Sequence, residues 1–291
     1  MEINSYVKEQ LDRIKEKCET IKPLVVIKCT TYNHGPYIKD ALDGFVMQKT
    51  DFPFVAIVHD DASTDNTASI IKEYAKKYPD IILPIFEEEN QYSKRDGSLG
   101  KIINEASNAT GAKYIALCEG DDYWTYPLKL QKQVHFLQNN PEYGLIHTNI
   151  YIADWKNGFQ EKEVAALDIP SGDVYRVLLE RNFIFTASVL YRSDLLYYVK
   201  KEIHPIPSWD RIMWICMSRH SKFHYISDRT TVYRILKNSA THGDYKKVLE
   251  TEFIGTNDLL RFLERNDISK DDVNIFLFFR SKKILRLCYY A

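Results

Sequence analysis

Residues 114–124 read YIALCEGDDYW, a short apolar run followed at once by three carboxylates within four residues. Apolar runs of this length that end in turn residues are typical of strands buried in a parallel sheet. Ligands of such sheets bind beyond the carboxyl ends of the strands. The stretch therefore predicts a buried strand that delivers Glu119, Asp121 and Asp122 to a ligand site.

The same alternation of apolar run and polar loop extends upstream. Further apolar runs predict three more strands, at residues 24–27, 54–58 and 81–86. Apolar residues at helical spacing predict helices between them, near residues 37–46, 70–78 and 102–106. Pro84 marks the third of these runs as an edge strand. The pattern predicts an α/β fold with a mostly parallel central sheet flanked by helices.

Polar loops follow the first two strands as well. Residues 29–37 read CTTYNHGPY, and residues 59–67 read HDDASTDNT. Ser63, Thr64 and Asp65 are typical N-cap residues for the following helix. Capping does not explain Asp60 and Asp61, because adjacent like charges raise each other's pKa and cost stability. Donors from a nucleotide base, or a cation, would offset that cost.

The acidic segment 119–122 has two interpretations. It is an ordinary acidic turn before the predicted helix at residues 128–137, or it is a metal site. Carboxylates at a strand end supply the hard oxygen ligands that suit Mg²⁺ or Mn²⁺. A departing diphosphate needs such charge neutralisation.

The segments TYNHGPYI, VHDDASTDNT and EGDDYWTYPLKLQKQ, in this order and spacing, resemble the inverting family-2 glycosyltransferases, which have the A-type nucleotide-sugar-binding fold. The resemblance covers roughly residues 23–240. It implies a nucleoside-diphosphate-sugar donor, most simply a UDP-sugar, and an Mn²⁺ or Mg²⁺ cofactor. The implied contacts to base and sugar nucleotide come from Thr30, Tyr32, Asn33, Asp60, Asp61 and Asp121. Asp121 and Asp122 would also hold the metal. Glu119 stands where the family more often has aspartate.

Asp210 is the predicted catalytic residue in the second half. An acid in the first turn of a helix is favoured by the helix dipole alone. Trp209-Asp210 also resembles the position of the family's general base, which deprotonates the acceptor hydroxyl. Residues 232–242 resemble the closing Y-R segment, in which His242 is a further candidate metal ligand. The Q-x-x-R-W signature of processive synthases is not matched at residues 214–220, which favours transfer of a single sugar.

The composition excludes some partners and leaves others open. Lys and Arg (39) balance Asp and Glu (40), which gives no electrostatic case for nucleic acid. Five scattered cysteines, a polar N-terminus and no apolar stretch of membrane-spanning length make the cytoplasm the expected location. Residues 274–290 mix bulky apolar residues with lysines and arginines. This tail could lie on the inner face of an anionic membrane, pack on the domain or form a homodimer.

The sequence thus predicts an N-terminal helical arm (1–22), a glycosyltransferase domain (23–244) and a helical C-terminal extension (245–291). The domain comprises a nucleotide-sugar half (23–125) and an acceptor half (126–244). The predicted activity is non-processive inverting transfer to a saccharide or lipid-linked saccharide, in bacterial cell-surface polysaccharide assembly. The alternatives are a sugar-nucleotide pyrophosphorylase and a non-catalytic binding or scaffold protein. The first needs a glycine-rich basic loop after strand one, whereas residues 30–37 have one glycine and no lysine or arginine.

Overall fold

One nine-stranded mixed sheet forms the centre of the molecule in the computed structural model, which describes residues 3–163, 168–203, 210–237 and 245–289. The strands are β1 Val25–Thr31, β2 Phe54–Asp60, β3 Ile82–Phe86, β4 Tyr114–Leu117, β5 Tyr123–Trp124, β6 Tyr143–Asp154, β7 Glu161–Glu163, β8 Leu190–Arg192 and β9 Lys222–Ile235. Their order is β3-β2-β1-β4-β8-β6-β9-β5, and β7 pairs with β6.

Helices cover the sheet on both faces. They are α1 Ser5–Ile21, α2 Ile38–Val46, α3 Thr67–Lys77, α4 Ser98–Ala109, α5 Lys129–Asn139, α6 Tyr175–Glu180, α7 Leu195–Glu202, α8 Asp210–Ser218, α9 Tyr245–Arg265 and α10 Lys270–Tyr289. The four strands β3, β2, β1 and β4 run parallel, as the alternating pattern predicts. β8 is antiparallel to both β4 and β6. The predicted α/β fold is confirmed, with strands of both directions after β4.

The second half departs from the sequence prediction in two places. Residues 185–191 read FTASVLY, a pattern that predicts a strand, but only Leu190–Arg192 pairs with other strands. The backbone before it forms a 3₁₀ turn, Thr186–Ser188, in which the N–H of Ser188 bonds the carbonyl of Phe185 at 2.9 Å. Since that bond satisfies the backbone locally, the residues have no need of a strand partner. β9, which the sequence pattern did not predict, pairs in parallel with β6 along most of its length.

The edge strand β3 is protected from further pairing. The backbone hydrogen-bonding groups of Ile82, Pro84 and Phe86 face away from β2. The N–H of Ile82 bonds the carbonyl of Tyr78 at 2.9 Å, and Pro84 has no N–H. The side chain of Gln10 bonds both backbone groups of Phe86, at 2.9 and 3.0 Å. The predicted edge position of this strand is confirmed, and a glutamine amide takes the place of a neighbouring strand.

Gln10 belongs to α1, which packs on the domain as an integral part of it. Val7, Leu11, Ile14 and Cys18 lie at helical spacing and are buried in the same core cluster as β2 and α4. The burial of this apolar face brings the amide of Gln10 to the sheet edge. The predicted arm at residues 1–22 thus covers the edge strand.

Trp124, the last residue of β5, fixes the segment that follows β4. Its indole is almost fully buried, donates to the carbonyl of Ala187 at 2.8 Å and meets the ring of Phe45 edge-on at 5.2 Å. α2 can pack this closely because residue 44 is glycine. A Cβ there would lie 2.9 Å from the backbone nitrogen of Trp124, closer than side chains tolerate.

The C-terminal helix α10 packs on α6 and on α9. Phe276 and Leu259 are buried, and the guanidinium of Arg280 pairs with Glu252 inside the contact. Large apolar side chains remain exposed on the outer surface: Phe253, Ile254, Leu277, Phe278, Phe279 and Leu285. Among the described residues, no helix is both long and apolar enough to cross a bilayer.

We expect Gln10→Ala to lower the free energy of unfolding by about 1–3 kcal/mol, because it leaves two backbone groups of Phe86 without their partner. Urea denaturation followed by circular dichroism measures the change. Gln138→Ala, an exposed glutamine of α5, is the control for helix propensity and should be within about 0.5 kcal/mol of the wild type. Equal effects of the two substitutions would show that the edge contact contributes nothing.

Candidate active site

The carboxyl ends of β1, β2 and β4 meet at one edge of the sheet. Thr31, the last residue of β1, is in register with Asp60 at the end of β2. Its carbonyl accepts the backbone N–H of Asp61 at 2.9 Å, and the carbonyl of Thr30 accepts that of Gly120 at 2.9 Å. The structure thereby brings the three predicted polar segments together through their backbones.

β1 ends with two threonines, Thr30 and Thr31, and Tyr32 follows the strand. Thr30, the predicted base contact, is half-buried. Thr31 was not predicted as a site residue, yet its Oγ1 is buried and has no hydrogen-bond partner within the described part of the chain. Tyr32 follows with 45 % of its surface exposed. The strand end therefore offers a hydroxyl and an aromatic ring to a ligand.

The loops after β1 and β2 interlock. Asn33 adopts a left-handed backbone (φ 54°), donates its N–H to Ser63 Oγ at 2.8 Å and accepts the N–H of Thr64 at 2.8 Å. Asp65 accepts the N–H of Gly35 at 2.9 Å. Among Ser63, Thr64 and Asp65, only Asp65 bonds the first residue of α3, where its Oδ1 accepts the N–H of Thr67 at 2.9 Å. The capping interpretation of Ser63 and Thr64 is therefore wrong, because these residues tie the second loop to the first.

Asp60 and Asp61 are both buried, with 2 % and 3 % of their surface exposed. Asp60 accepts the hydroxyl and the N–H of Ser63, and desolvation raises its pKa. Asp61 accepts two backbone N–H groups, that of Gln91 on Oδ1 at 2.6 Å and that of Tyr92 on Oδ2 at 3.0 Å. These donors offset part of the cost of two neighbouring carboxylates.

The acidic segment forms a closed turn, in which the N–H of Asp122 bonds the carbonyl of Glu119 at 3.1 Å. Gly120 is required here, because a Cβ would lie 2.8 Å from the Cβ of Thr31. Desolvation raises the pKa of Glu119 to about 8, and the charge of Asp121 adds to the shift. Desolvation and the charge of Asp121 also raise the pKa of Asp122. Burial in the turn therefore favours the protonated, uncharged form of Glu119 and Asp122, and a cation bound nearby would favour the ionised form.

Arg234, on β9, holds this turn. Its N–H bonds Asp122 Oδ1 at 2.8 Å, and its guanidinium bonds the carbonyl of Asp121 at 2.9 Å and the carboxylate of Asp40. The guanidinium carbon lies 4.3 Å from the centre of the Tyr123 ring. The sequence placed Arg234 in the Y-R segment but gave it no role. Its partners are more than a hundred positions away, so no local pattern reveals them.

Asp210 enters the site from the acceptor half as the first residue of α8. The hydroxyl of Thr186 donates to its Oδ2. The residue keeps contact with solvent, but the surrounding protein displaces enough water from the carboxyl to raise its pKa. After desolvation, the charge of Asp210 is the next cause of the raised pKa of both Glu119 and Tyr191. Thr186 adjoins Ala187, whose carbonyl accepts the indole N–H of Trp124 at 2.8 Å, so Asp210 lies on the side of the sheet that carries the acidic turn.

Asp121 and Asp122 fit a divalent cation whose other ligands come from the substrate phosphates and from water. Within the described residues, no three His, Cys, Asp or Glu side chains converge as a ready metal site. The predicted ligand His242, like Trp209, lies outside those residues. Mg²⁺ in phosphate-binding sites is usually held by one or two carboxylates, substrate phosphates and water. The bond to Arg234 uses only Oδ1 of Asp122. Asp121 and Asp122 can therefore supply the one or two carboxylate ligands that such a cation needs.

Sequence comparisons relate the chain to glycosyltransferases. The family model for glycosyl transferase family 2 matches residues 26–196. An uncharacterized protein of Mycobacterium tuberculosis is 36% identical over 221 residues, which are 74% of this chain and 60% of the relative. An uncharacterized glycosyltransferase of Methanocaldococcus jannaschii is 30% identical over 222 residues, or 75% and 72% of the two chains. A putative teichuronic acid biosynthesis glycosyltransferase of Bacillus subtilis is 31% identical over 116 residues, or 40% and 42%.

Solved structures show the same fold. Residues 1–349 of Staphylococcus aureus TarS, in complex with UDP-GlcNAc, align with a TM-score of 0.58 and 18% identity, over 88% of this chain and 71% of that chain. A mannosyltransferase from Pyrobaculum calidifontis, in complex with GDP-Man and Mn²⁺, aligns with a TM-score of 0.57 and 15% identity, over 97% and 93%. The chain spans about 60% of the length of the mycobacterial relatives. With a family model that covers more than half of its residues and the sheet of the A-type fold, the chain belongs to glycosyl transferase family 2.

Proposed function

We propose that this protein transfers a single sugar from a UDP-sugar to an acceptor hydroxyl, with inversion at the anomeric carbon. The observation that carries the proposal is the position of Asp210. Thr186, whose hydroxyl donates to Asp210, adjoins Ala187, whose carbonyl accepts the indole N–H of Trp124 just after the acidic turn, although Asp210 and that turn come from different halves of the chain. A carboxylate near, but separate from, the donor-side carboxylates is what a direct displacement requires.

On the donor side, the nucleotide occupies the ends of β1 and β2. Thr30, Tyr32 and Asn33 contact it from the first loop. Asp61 accepts the N3–H of uracil, because a carboxylate has about four lone-pair positions and its bonds to Gln91 and Tyr92 use two. Asp60 supports this arrangement through Ser63.

The diphosphate lies at the acidic turn. Asp121 and Asp122 would hold Mn²⁺ or Mg²⁺, with His242 as a further ligand. When bound, the metal neutralises the charge of the leaving diphosphate. The Mn²⁺ in the archaeal mannosyltransferase structure supports this choice of cofactor. Arg234 keeps the two aspartates in place through the backbone of the turn.

On the acceptor side, Asp210 takes the proton of the attacking hydroxyl. The acceptor oxygen forms a bond to the anomeric carbon while the bond from that carbon to the diphosphate oxygen breaks. The proton remains on Asp210 and the nucleoside diphosphate leaves with the bonding electrons. The raised pKa of Asp210 makes it a stronger base than an ordinary aspartate. Thr186 orients its carboxyl through Oδ2.

The acceptor is a saccharide or a lipid-linked saccharide of a bacterial cell-surface polysaccharide. The name of the Bacillus subtilis relative, which refers to teichuronic acid biosynthesis, supports this substrate class. The mismatch to the Q-x-x-R-W signature at residues 214–220 supports addition of one sugar at a time.

A lipid-linked acceptor would place the enzyme at a membrane surface, and α10 suits such contact. Phe278 and Leu285 are 53 % and 68 % exposed, and Lys282 lies 4.0 Å from the Phe278 ring. After Asp272 the sequence of this helix has no acidic residue, and the side chain of Lys282 is exposed. An anionic bilayer matches both properties.

We expect UDP to bind more tightly with Mn²⁺ or Mg²⁺ than with EDTA, and Asp122→Asn to remove most of that difference. The asparagine can still accept the N–H of Arg234, so only the charge is lost. Isothermal titration calorimetry measures the affinities. Asp194→Asn, an exposed acid at the start of α7, should behave as wild type. Identical UDP affinity with metal and with EDTA would contradict the metal hypothesis.

Asp210→Asn should lower turnover about 10²–10⁴-fold, the usual contribution of a general base. UDP-sugar affinity should stay nearly constant, because the residue acts on the acceptor. An α-linked donor should give a β-linked product, read from the NMR coupling constant. The matched control is Asp271→Asn, another first-turn acid, which should leave turnover unchanged. Near-normal transfer by Asp210→Asn, or a product that keeps the donor configuration, would refute the mechanism.

The membrane contact predicts that Phe278→Ser combined with Leu285→Ser weakens binding to phosphatidylglycerol vesicles about tenfold or more at low salt. Each large apolar side chain contributes roughly 1.5–3 kcal/mol when buried. Co-sedimentation measures the bound fraction, with Tyr197→Ser, at an exposed tyrosine of α7, as control. A wild-type chain that stays in the supernatant would leave α9 and α10 with a structural role only.

A further inference from the structure

The turn that follows β3 is built on Asp61. Both carboxylate oxygens of Asp61 accept N–H groups of this turn, those of Gln91 and Tyr92. The side chain of Asn90 donates to the carbonyl of Asp61 at 3.2 Å. Because Asp61 is only 3 % exposed, a ligand that reaches its carboxylate must also touch the turn. Residues 90–92 therefore form part of any pocket at Asp61.

A buried chain of polar contacts keeps the turn in place. The side chain of Gln91 donates to the carbonyl of Glu89 at 2.8 Å and to Glu87 at 3.3 Å. Glu87 in turn contacts His59 of β2 at 3.1 Å, and its N–H bonds the carbonyl of Asp60 at 3.0 Å. The turn is thus fixed to β2 at both its start and its middle, and is preformed before a ligand arrives.

Tyr92 is the outward-facing residue of this turn. Its ring is 69 % exposed, the largest exposed fraction among the large hydrophobic residues of the described chain. Its backbone N–H is bonded directly to Asp61 Oδ2. Tyr32 directly follows Thr31, whose carbonyl accepts the backbone N–H of Asp61 at 2.9 Å. Tyr92 and the residue that precedes Tyr32 are therefore both hydrogen-bonded to Asp61, the proposed contact to the base.

We propose that Tyr92 forms a second aromatic wall of the nucleotide pocket and stacks on the face of the base whose edge Asp61 binds. This inference rests on the proposed UDP-sugar function. An aromatic ring stacks on any base, so Tyr92 adds affinity for the donor nucleotide, and Asp61 decides which base is accepted. Asp61 has a double role, since it also positions the turn that carries Tyr92.

Calorimetry with UDP and with inorganic pyrophosphate, both with Mn²⁺, tests the proposal. Tyr92→Ala should weaken UDP about 5- to 100-fold, the range of base–aromatic stacking, and leave pyrophosphate binding unchanged. Tyr92→Phe keeps the ring and should bind UDP as the wild type does. Tyr197→Ala removes an exposed tyrosine of α7 and serves as the control. In turnover assays, Tyr92→Ala should raise the donor KM and leave kcat nearly constant.

The outcomes separate this inference from the proposed function. Wild type that binds UDP, with Tyr92→Ala equally tight, would overturn the stacking role and leave the function intact. Equal weakening of UDP and pyrophosphate by Tyr92→Ala would show a general structural effect and also overturn it. Wild type that binds no nucleoside diphosphate with Mn²⁺ would remove the proposed function, and the inference with it.

Discussion

Repulsion among carboxylates at one sheet edge is the constraint on which the rest of this structure depends. The ends of β2 and β4 supply five acids there (Asp60, Asp61, Glu119, Asp121 and Asp122), and α8 adds Asp210 from the other half of the chain. Burial makes each charge costlier, as the raised pKa values of Glu119 and Asp122 show. The protein offsets this cost with fixed donors, chiefly Arg234 and the backbone N–H groups of residues 91 and 92. A cation bound together with the diphosphate would offset the remaining cost of these charges.

The position of the acidic turn depends on packing behind it. Trp124 lies two residues after Asp122 and is locked between Phe45 and the carbonyl of Ala187. Lys129 Nζ lies 4.3 Å from the centre of the indole ring, and burial lowers the pKa of this amine to about 7. The contacts join α2, β5 and the 3₁₀ turn that carries Thr186, which bonds Asp210. One buried indole thereby links the donor-side carboxylates to the proposed base.

The sequence by itself determined the parallel half of the sheet and the order of its polar loops. Strand and helix periodicity are local properties, so apolar runs and their spacing suffice to find β1 to β4 and the helices between them. Pro84 marks the edge strand for an equally local reason, its missing N–H. The acids of residues 119–122 are also contiguous in the chain, which is why a strand-end site could be predicted there.

Only the tertiary structure decided which groups hold those acids. Arg234 is 112 residues from Asp122 and 194 from Asp40, and Tyr92 is 31 residues from Asp61. The 3₁₀ turn at residues 186–188 and the long strand β9 were likewise set by partners elsewhere in the chain. A residue pattern records the periodicity of its own segment, whereas a hydrogen bond between distant segments depends on how the whole sheet brings them together. For that reason the sequence could name the carboxylates, and the fold alone could show what surrounds them.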